Sequence, residues 1–163
     1  MSVEVKINGL KELSKALNEL PGRVARNIIG TALRAGGNVI KNQAKANLPE
    51  NYTTLRKSLV VVVGKQRDPY TRSAIIGPTV GKRAKYDGWY AHIVEGGALP
   101  HEIPARFKKV EARDGQIFGS LVHHPGVHAK PFMRPAFEST KQKVVDAMAE
   151  KIRARIEIEA AKK

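Results

Sequence analysis

Residues 22–47 limit the fold more than any other stretch. They contain no proline and no acidic residue. At about 100° per residue, Val24, Ala25, Ile28, Ile29, Ala32, Ala35, Gly36, Val39 and Ile40 fill one broad apolar arc. Arg23, Arg26, Arg34, Lys41 and Lys45 gather on the opposite side. This period predicts a long amphipathic helix that must bury one face. Gly30 and Gly37 fall on its basic side and Gly36 on its apolar side. A helical glycine costs about 1 kcal/mol against alanine. At Gly36 that cost is consistent with close packing or with a local kink. Leu48-Pro49 ends the helix, because proline disfavours helical geometry in the residue before it.

A second long helix is predicted over 135–160. Pro135 suits its first position, and Phe137, Val144, Val145, Met148, Ile152 and Ile156 form its apolar stripe. Lys162-Lys163 reads as a frayed tail. A shorter helix carries Leu10, Leu13, Leu17 and Leu20 on one face, with Asn8 as its N-cap and Pro21-Gly22 as its break.

Strand signals are shorter. Val3, Val5 and Ile7 alternate with polar residues. Leu59 to Val63 reads as a strand buried on both faces or lying at a subunit contact. Arg72 to Gly77 reads as its antiparallel partner across a loop at 66–70. Residues 98–123 read as an extended hairpin with an Asp114-Gly115 turn and apolar points at Phe107, Val110, Ile117, Phe118, Leu121 and Val122. Thr79 to Gly88 reads as a mobile basic loop. These elements predict an α+β fold, with an antiparallel sheet packed against two long helices. A single domain spanning 1–163 with extended loops is expected.

Composition narrows the function classes. The chain holds 29 Lys+Arg against 15 Asp+Glu, a formal charge of +14, which favours a polyanion or an acidic protein surface as partner. It has no cysteine, which excludes disulfides, thiolate zinc sites and a cysteine nucleophile. No signal-peptide pattern occupies residues 1–20, and the apolar run Leu59–Val63 is far too short to span a bilayer. The expectation is a soluble product made in the cytoplasm, with no membrane partner.

Gly77-Pro78-Thr79-Val80-Gly81-Lys82-Arg83 has the look of a phosphate loop. Its glycines are one residue too close, however, and Arg83 stands where a magnesium-binding hydroxyl belongs. His92, His101, His123, His124 and His128 make no recognised metal array, so no metal or cofactor is expected. No nucleophile elbow is present, and no carboxylate pair can be assigned to acid–base work. Asn51-Tyr52-Thr53 matches a glycosylation sequon but has no secretory context. The expectation is an interaction protein and not an enzyme.

More specific is the region from Trp89 to Pro135. Tyr90-Ala91-His92-Ile93-Val94-Glu95-Gly96-Gly97 reads as one helical turn with a carboxylate and a glycine stop. Pro131-Phe132-Met133-Arg134-Pro135 reads as a rigid approach to the last helix, with Phe132 and Phe137 anchoring it to the core. Arg134 has Glu95 as one candidate partner.

The turn at 90–97, then His124-Pro125-Gly126, then Lys130-Pro131-Phe132-Met133-Arg134-Pro135-Ala136-Phe137 together resemble the tail-completion (head–tail joining) proteins of long, non-contractile-tailed bacteriophages, also described as minor tail components. The resemblance extends to element order, including Leu55-Arg56-Lys57-Ser58 as the lead-in to a strand. In that family the glutamate is commonly followed by an aromatic or apolar residue and then glycine, where this chain has Gly96-Gly97.

The resemblance implies a virion protein of the tail or neck. It implies a homo-oligomeric ring, typically hexameric, that caps the tail tube and meets tail terminator and head connector proteins. Genomic DNA would pass through the lumen and touch it transiently. It marks Tyr90, His92, Glu95, Gly96, Pro131, Phe132, Arg134 and Pro135 as a structural motif. Loops at 65–70, 79–88 and 98–123 are candidates for intersubunit contact. The alternative reading is a basic nucleic-acid-binding protein, with the face of Arg23, Arg26, Arg34, Lys41 and Lys45 turned to its ligand.

Overall fold

The periodic stretch at 22–47 forms the helix around which the larger part of the chain is built. In the computed structural model, residues 9–19, 22–64, 72–104, 111–113, 116–118 and 121–162 are described. The expected strand at 2–7, Asn8, Leu20, Pro21, the loop at 66–70, Phe107, Val110 and the Asp114-Gly115 turn lie outside them. The chain divides into two compact units, Met1–Trp89 with Phe132–Lys163, and Tyr90–Pro131.

The first unit begins with α1 (Leu10–Asn18) and α2 (Gly22–Asn47). It continues through α3 (Thr53–Ser58), β1 (Leu59–Val63) and β2 (Ala74–Pro78). The second unit holds α4 (Ala91–Gly96), β3 (His101–Pro104), β4 (Glu111–Arg113), β5 (Gln116–Phe118) and β6 (Leu121–His124). The chain then returns to the first unit as α5 (Met133–Ala160). Helices and antiparallel strand pairs thus make the α+β fold that the sequence predicts, with the two long helices packed on each other.

Helix α2 is packed on two sides, and its glycines explain how. A Cβ at Gly36 would lie 2.8 Å from Met148 Cγ and 3.0 Å from Val144 Cγ1, so α5 approaches along that line. Of the two readings of Gly36, close packing is the one observed. A Cβ at Gly37 would lie 2.6 Å from Val61 Cγ1, so β1 approaches the neighbouring face. At Gly30 the same atom would meet the Arg72 guanidinium at 2.7 Å. Gly30 and Gly37 are therefore buried, not on a solvated basic side as the helical arc predicts. The core collects Ile28, Ala32, Ile40, Ala44 and Leu48 from α2 with Leu13, Leu55, Leu59, Val61, Phe132 and Ala136.

Several expectations are corrected. Helix α1 is capped by Gly9 in the left-handed region (φ 74°), a conformation that glycine adopts without steric penalty. Leu55-Arg56-Lys57-Ser58 is helical and not extended. Two side-chain bonds fix it there: the Arg56 guanidinium donates to the Leu48 carbonyl outside the helix, and within it Ser58 Oγ donates to the Leu55 carbonyl at 2.8 Å.

Strand β1 is buried on one face only. Val61 packs inward against Gly37, while Val62 is 53% exposed and its register partner Ile75 is 68% exposed. Helix α5 starts two residues before Pro135, with Phe132 as N-cap. Pro135 still lies within the first turn, where its missing N–H has no intrahelical partner to lose. Phe132 is 1% exposed and anchors the helix, whereas Phe137 is 54% exposed with Lys141 Nζ 5.8 Å from its ring centroid.

Thr79 to Gly88 is tied down and not a loose loop. Thr79 Oγ1 donates to the Tyr86 carbonyl at 2.8 Å, and Gly88 N donates to the Thr79 carbonyl at 2.9 Å. In the second unit the 98–123 excursion is a hairpin in two tiers. β3 pairs with β6 and β4 with β5, both antiparallel.

Candidate assembly surface

The two halves of the sequence motif meet inside the second unit. Helix α4 ends where the sequence places a glycine stop, and Gly97 N donates to the Ile93 carbonyl at 2.8 Å. Gly97 has φ 74° and ψ −176°, a region essentially reserved for glycine. The chain then exchanges two 2.9 Å backbone bonds between Ala98 and Val127. Lys130 N reaches the Val94 carbonyl at 2.7 Å. His124-Pro125-Gly126 and Lys130 are thereby stitched to the turn that carries Tyr90, His92, Glu95 and Gly96.

Glycine is required at two points of this crossing. A Cβ at Gly97 would stand 2.7 Å from the Val127 carbonyl oxygen, and one at Gly126 (φ 87°) 2.5 Å from the Ala98 oxygen. Backbone cannot yield as a flexible side chain does. His124 Nδ1 accepts from Gly126 N at 3.1 Å, and the His101 and His124 rings stack with centroids 5.0 Å apart. These histidines brace the turn and the base of the hairpin. Beside the crossing lies a cavity of about 640 Å³ lined by residues 96–100 and 125–129, in which His128 is the one titratable side chain. Among the described residues, no group of three or more His, Asp or Glu side chains could hold a metal ion.

The remaining motif residues sit as follows. Pro131 closes the second unit, and Phe132, Arg134 and Pro135 open the last helix in the first. Glu95 and Arg134 therefore fall in different units. Sequence reasoning missed the clasp between the two long helices. Asn47 Nδ2 donates to the Phe132 carbonyl at 3.1 Å, while Asn47 Oδ1 accepts from Gln43 Nε2 at 3.0 Å. An asparagine as the last residue of a helix was the available signal.

The basic residues of α2 are unequal. Arg26 and Arg34 are exposed. Lys41 and Lys45 are half-buried, and Lys41 Nζ donates to Asn38 Oδ1 at 2.8 Å. Arg23 lies in the first turn. The Arg26 carbonyl accepts from the Arg72 guanidinium, so the strip borders the β1–β2 pair rather than standing apart from it. No described helix is long and apolar enough to cross a membrane.

A family model described as bacteriophage HK97-gp10 tail component matches residues 11–97, from α1 through the glycine stop after α4. No curated protein and no solved structure gives a significant match. With more than half of its length matched, the chain belongs to the HK97-gp10-like family of bacteriophage tail components.

Proposed function

We propose that this tail component completes the tail: it forms a ring that closes the tail tube and joins it to the head connector, leaving a lumen for the genome. It acts by binding and not by catalysis. The observation that carries the reading is family membership across residues 11–97, joined to a 124–130 segment hydrogen-bonded to the turn at 90–97. The exposed Val62–Ile75 pair gives each subunit an apolar face suited to a neighbour. A hexamer is the expected ring. The cations of α2 would meet an acidic rim of an adjoining ring, since tight DNA binding there would hinder passage of the genome.

Electron microscopy of the purified protein and of complemented particles tests this. Rings with a defined symmetry are expected. The Arg26→Glu/Arg34→Glu variant should stay folded by circular dichroism and leave unjoined heads and tails. Normal counts of joined particles from that variant would remove α2 from the joining surface. Absence of rings under all assembly conditions would refute the ring.

A further inference from the structure

Among the described residues, loop 79–89 places three exposed cations within four positions, and hydrogen bonds fold the loop on itself. Asp87 Oδ1 accepts from Gly81 N at 3.3 Å and from Trp89 N at 3.1 Å. Ala84 N donates to the Gly81 carbonyl at 2.9 Å. Gly88 presses so closely on Ser58 that a Cβ there would lie 2.4 Å from the hydroxyl. Outward from this frame point Lys82, Arg83 and Lys85, all exposed. Lys57 joins them from α3. Its Nζ and that of Lys85 lie 5.5 and 5.6 Å from the Tyr86 ring centroid. Each ammonium group is thus within cation–π reach of the Tyr86 ring, which ties Lys57 of α3 and Lys85 of the loop to one side chain. Asp87, the loop's one carboxylate, is engaged by backbone N–H groups and folds the loop. At the end of the loop Trp89 is 58% exposed.

Cations alone would suit any polyanion. Cations on the same short loop as an exposed indole suit a narrower class, one that offers both phosphates and flat π-faces. A single nucleic-acid strand offers both, whereas a duplex hides its base faces and an acidic peptide has no bases. We propose that loop 79–89 with Lys57 is a platform for an unpaired nucleic-acid strand, its phosphates on Lys57, Lys82, Arg83 and Lys85 and a base stacked on Trp89. The phosphate-loop pattern at 77–83, already wrong in its glycine spacing and at Arg83, also leads from β2 into a turn and not into a helix. Its cations serve through side chains instead. The inference goes beyond ring formation, and the isolated full chain tests it.

Trp89 is the chain's one tryptophan, so its emission reports the site directly. Titration with a short oligothymidylate at low salt should quench that emission saturably. The same sequence in duplex form, heparin and polyglutamate should bind more weakly and quench little. Lys82→Glu/Arg83→Glu should weaken oligothymidylate binding about tenfold, with a shallower salt dependence. Trp89→Ala, followed by anisotropy of a labelled oligonucleotide, should weaken it by roughly tenfold. Absence of quenching overturns the proposal. So does equal binding of oligothymidylate, duplex and heparin, which would reduce the loop to plain polyanion attraction. Polyglutamate binding as tightly as oligothymidylate overturns it in favour of an acidic protein partner.

Discussion

Phe132 and Phe137 stand five residues apart around the start of α5 and differ sharply in surroundings. The Phe132 ring is 1% exposed, among the largest fully buried side chains, and its carbonyl receives Asn47 Nδ2 at 3.1 Å. Truncating such a ring removes its transfer free energy and leaves a cavity, together about 3–5 kcal/mol. Phe137 is 54% exposed and has a lysine ammonium 5.8 Å from its centroid. An exposed cation–π contact contributes about 0.5–1 kcal/mol, so Phe137→Ala should cost about 1 kcal/mol or less. Urea unfolding followed by far-ultraviolet circular dichroism separates the two, since α2 and α5 dominate the helical signal. With a slope of about 2 kcal/mol/M, Phe132→Ala should lower the midpoint by roughly 1.5–2.5 M and Phe137→Ala by under about 0.5 M. Equal shifts, or a larger one for Phe137, would refute the burial argument, provided the slopes match wild type.

Two further perturbations test the glycine positions. Gly37→Ala gains about 1 kcal/mol of helix propensity but drives a methyl to 2.6 Å from Val61 Cγ1, an overpacking strain of about 1–3 kcal/mol, so the variant should be destabilised. Adding Val61→Ala should relieve the strain, and a double-mutant cycle in urea should give a coupling of about 1 kcal/mol; additive effects would dismiss the contact. Gly97→Ala and Gly126→Ala each force a Cβ onto backbone at positive φ, at about 1–3 kcal/mol or more. Amide exchange at Ala98, Val127 and Lys130 should accelerate in both, and unchanged protection there would contradict the crossing.

What the sequence revealed and what it hid follow from the same physics. The bounds of α2 were legible because its period runs unbroken to Leu48-Pro49. The pairing of β1 with β2 was legible from two apolar runs flanking a polar loop. The meeting of 90–97 with 124–130 was legible as motif order, though not its hydrogen bonds. The two-sided packing of α2 was hidden, because a hydrophobic arc counts side chains and Gly37 has none. Only the facing Val61 reveals that the gap is filled. The helical turn at 53–58 was hidden because the Arg56 contact to the Leu48 carbonyl is tertiary. The inequality of Phe132 and Phe137 was hidden because both are apolar residues at the start of one helix, and only the tertiary packing decides that Phe132 is buried and Phe137 is not.

The buried glycines also change what the charge means. Gly36 and Gly37 are adjacent and so point about 100° apart, which commits α2 to α5 on one side and to the β1–β2 pair on the next. The arc left to solvent is narrower than the sequence pattern implies. Lys41 and Lys45 flank the packed region and are half-buried, as long cationic side chains can be when their stems lie on apolar surface. Lys41 also spends its ammonium on Asn38. Of the basic side chains of α2 described, Arg26 and Arg34 remain exposed. The exposed positive strip of α2 is therefore sparse, whereas the loop after β2 carries exposed Lys82, Arg83 and Lys85, with Lys57 of α3 and Lys85 both near the Tyr86 ring. Two long faces of α2 thus belong to the core, and the exposed cations nearest one another in sequence among the described residues are those of the loop after β2.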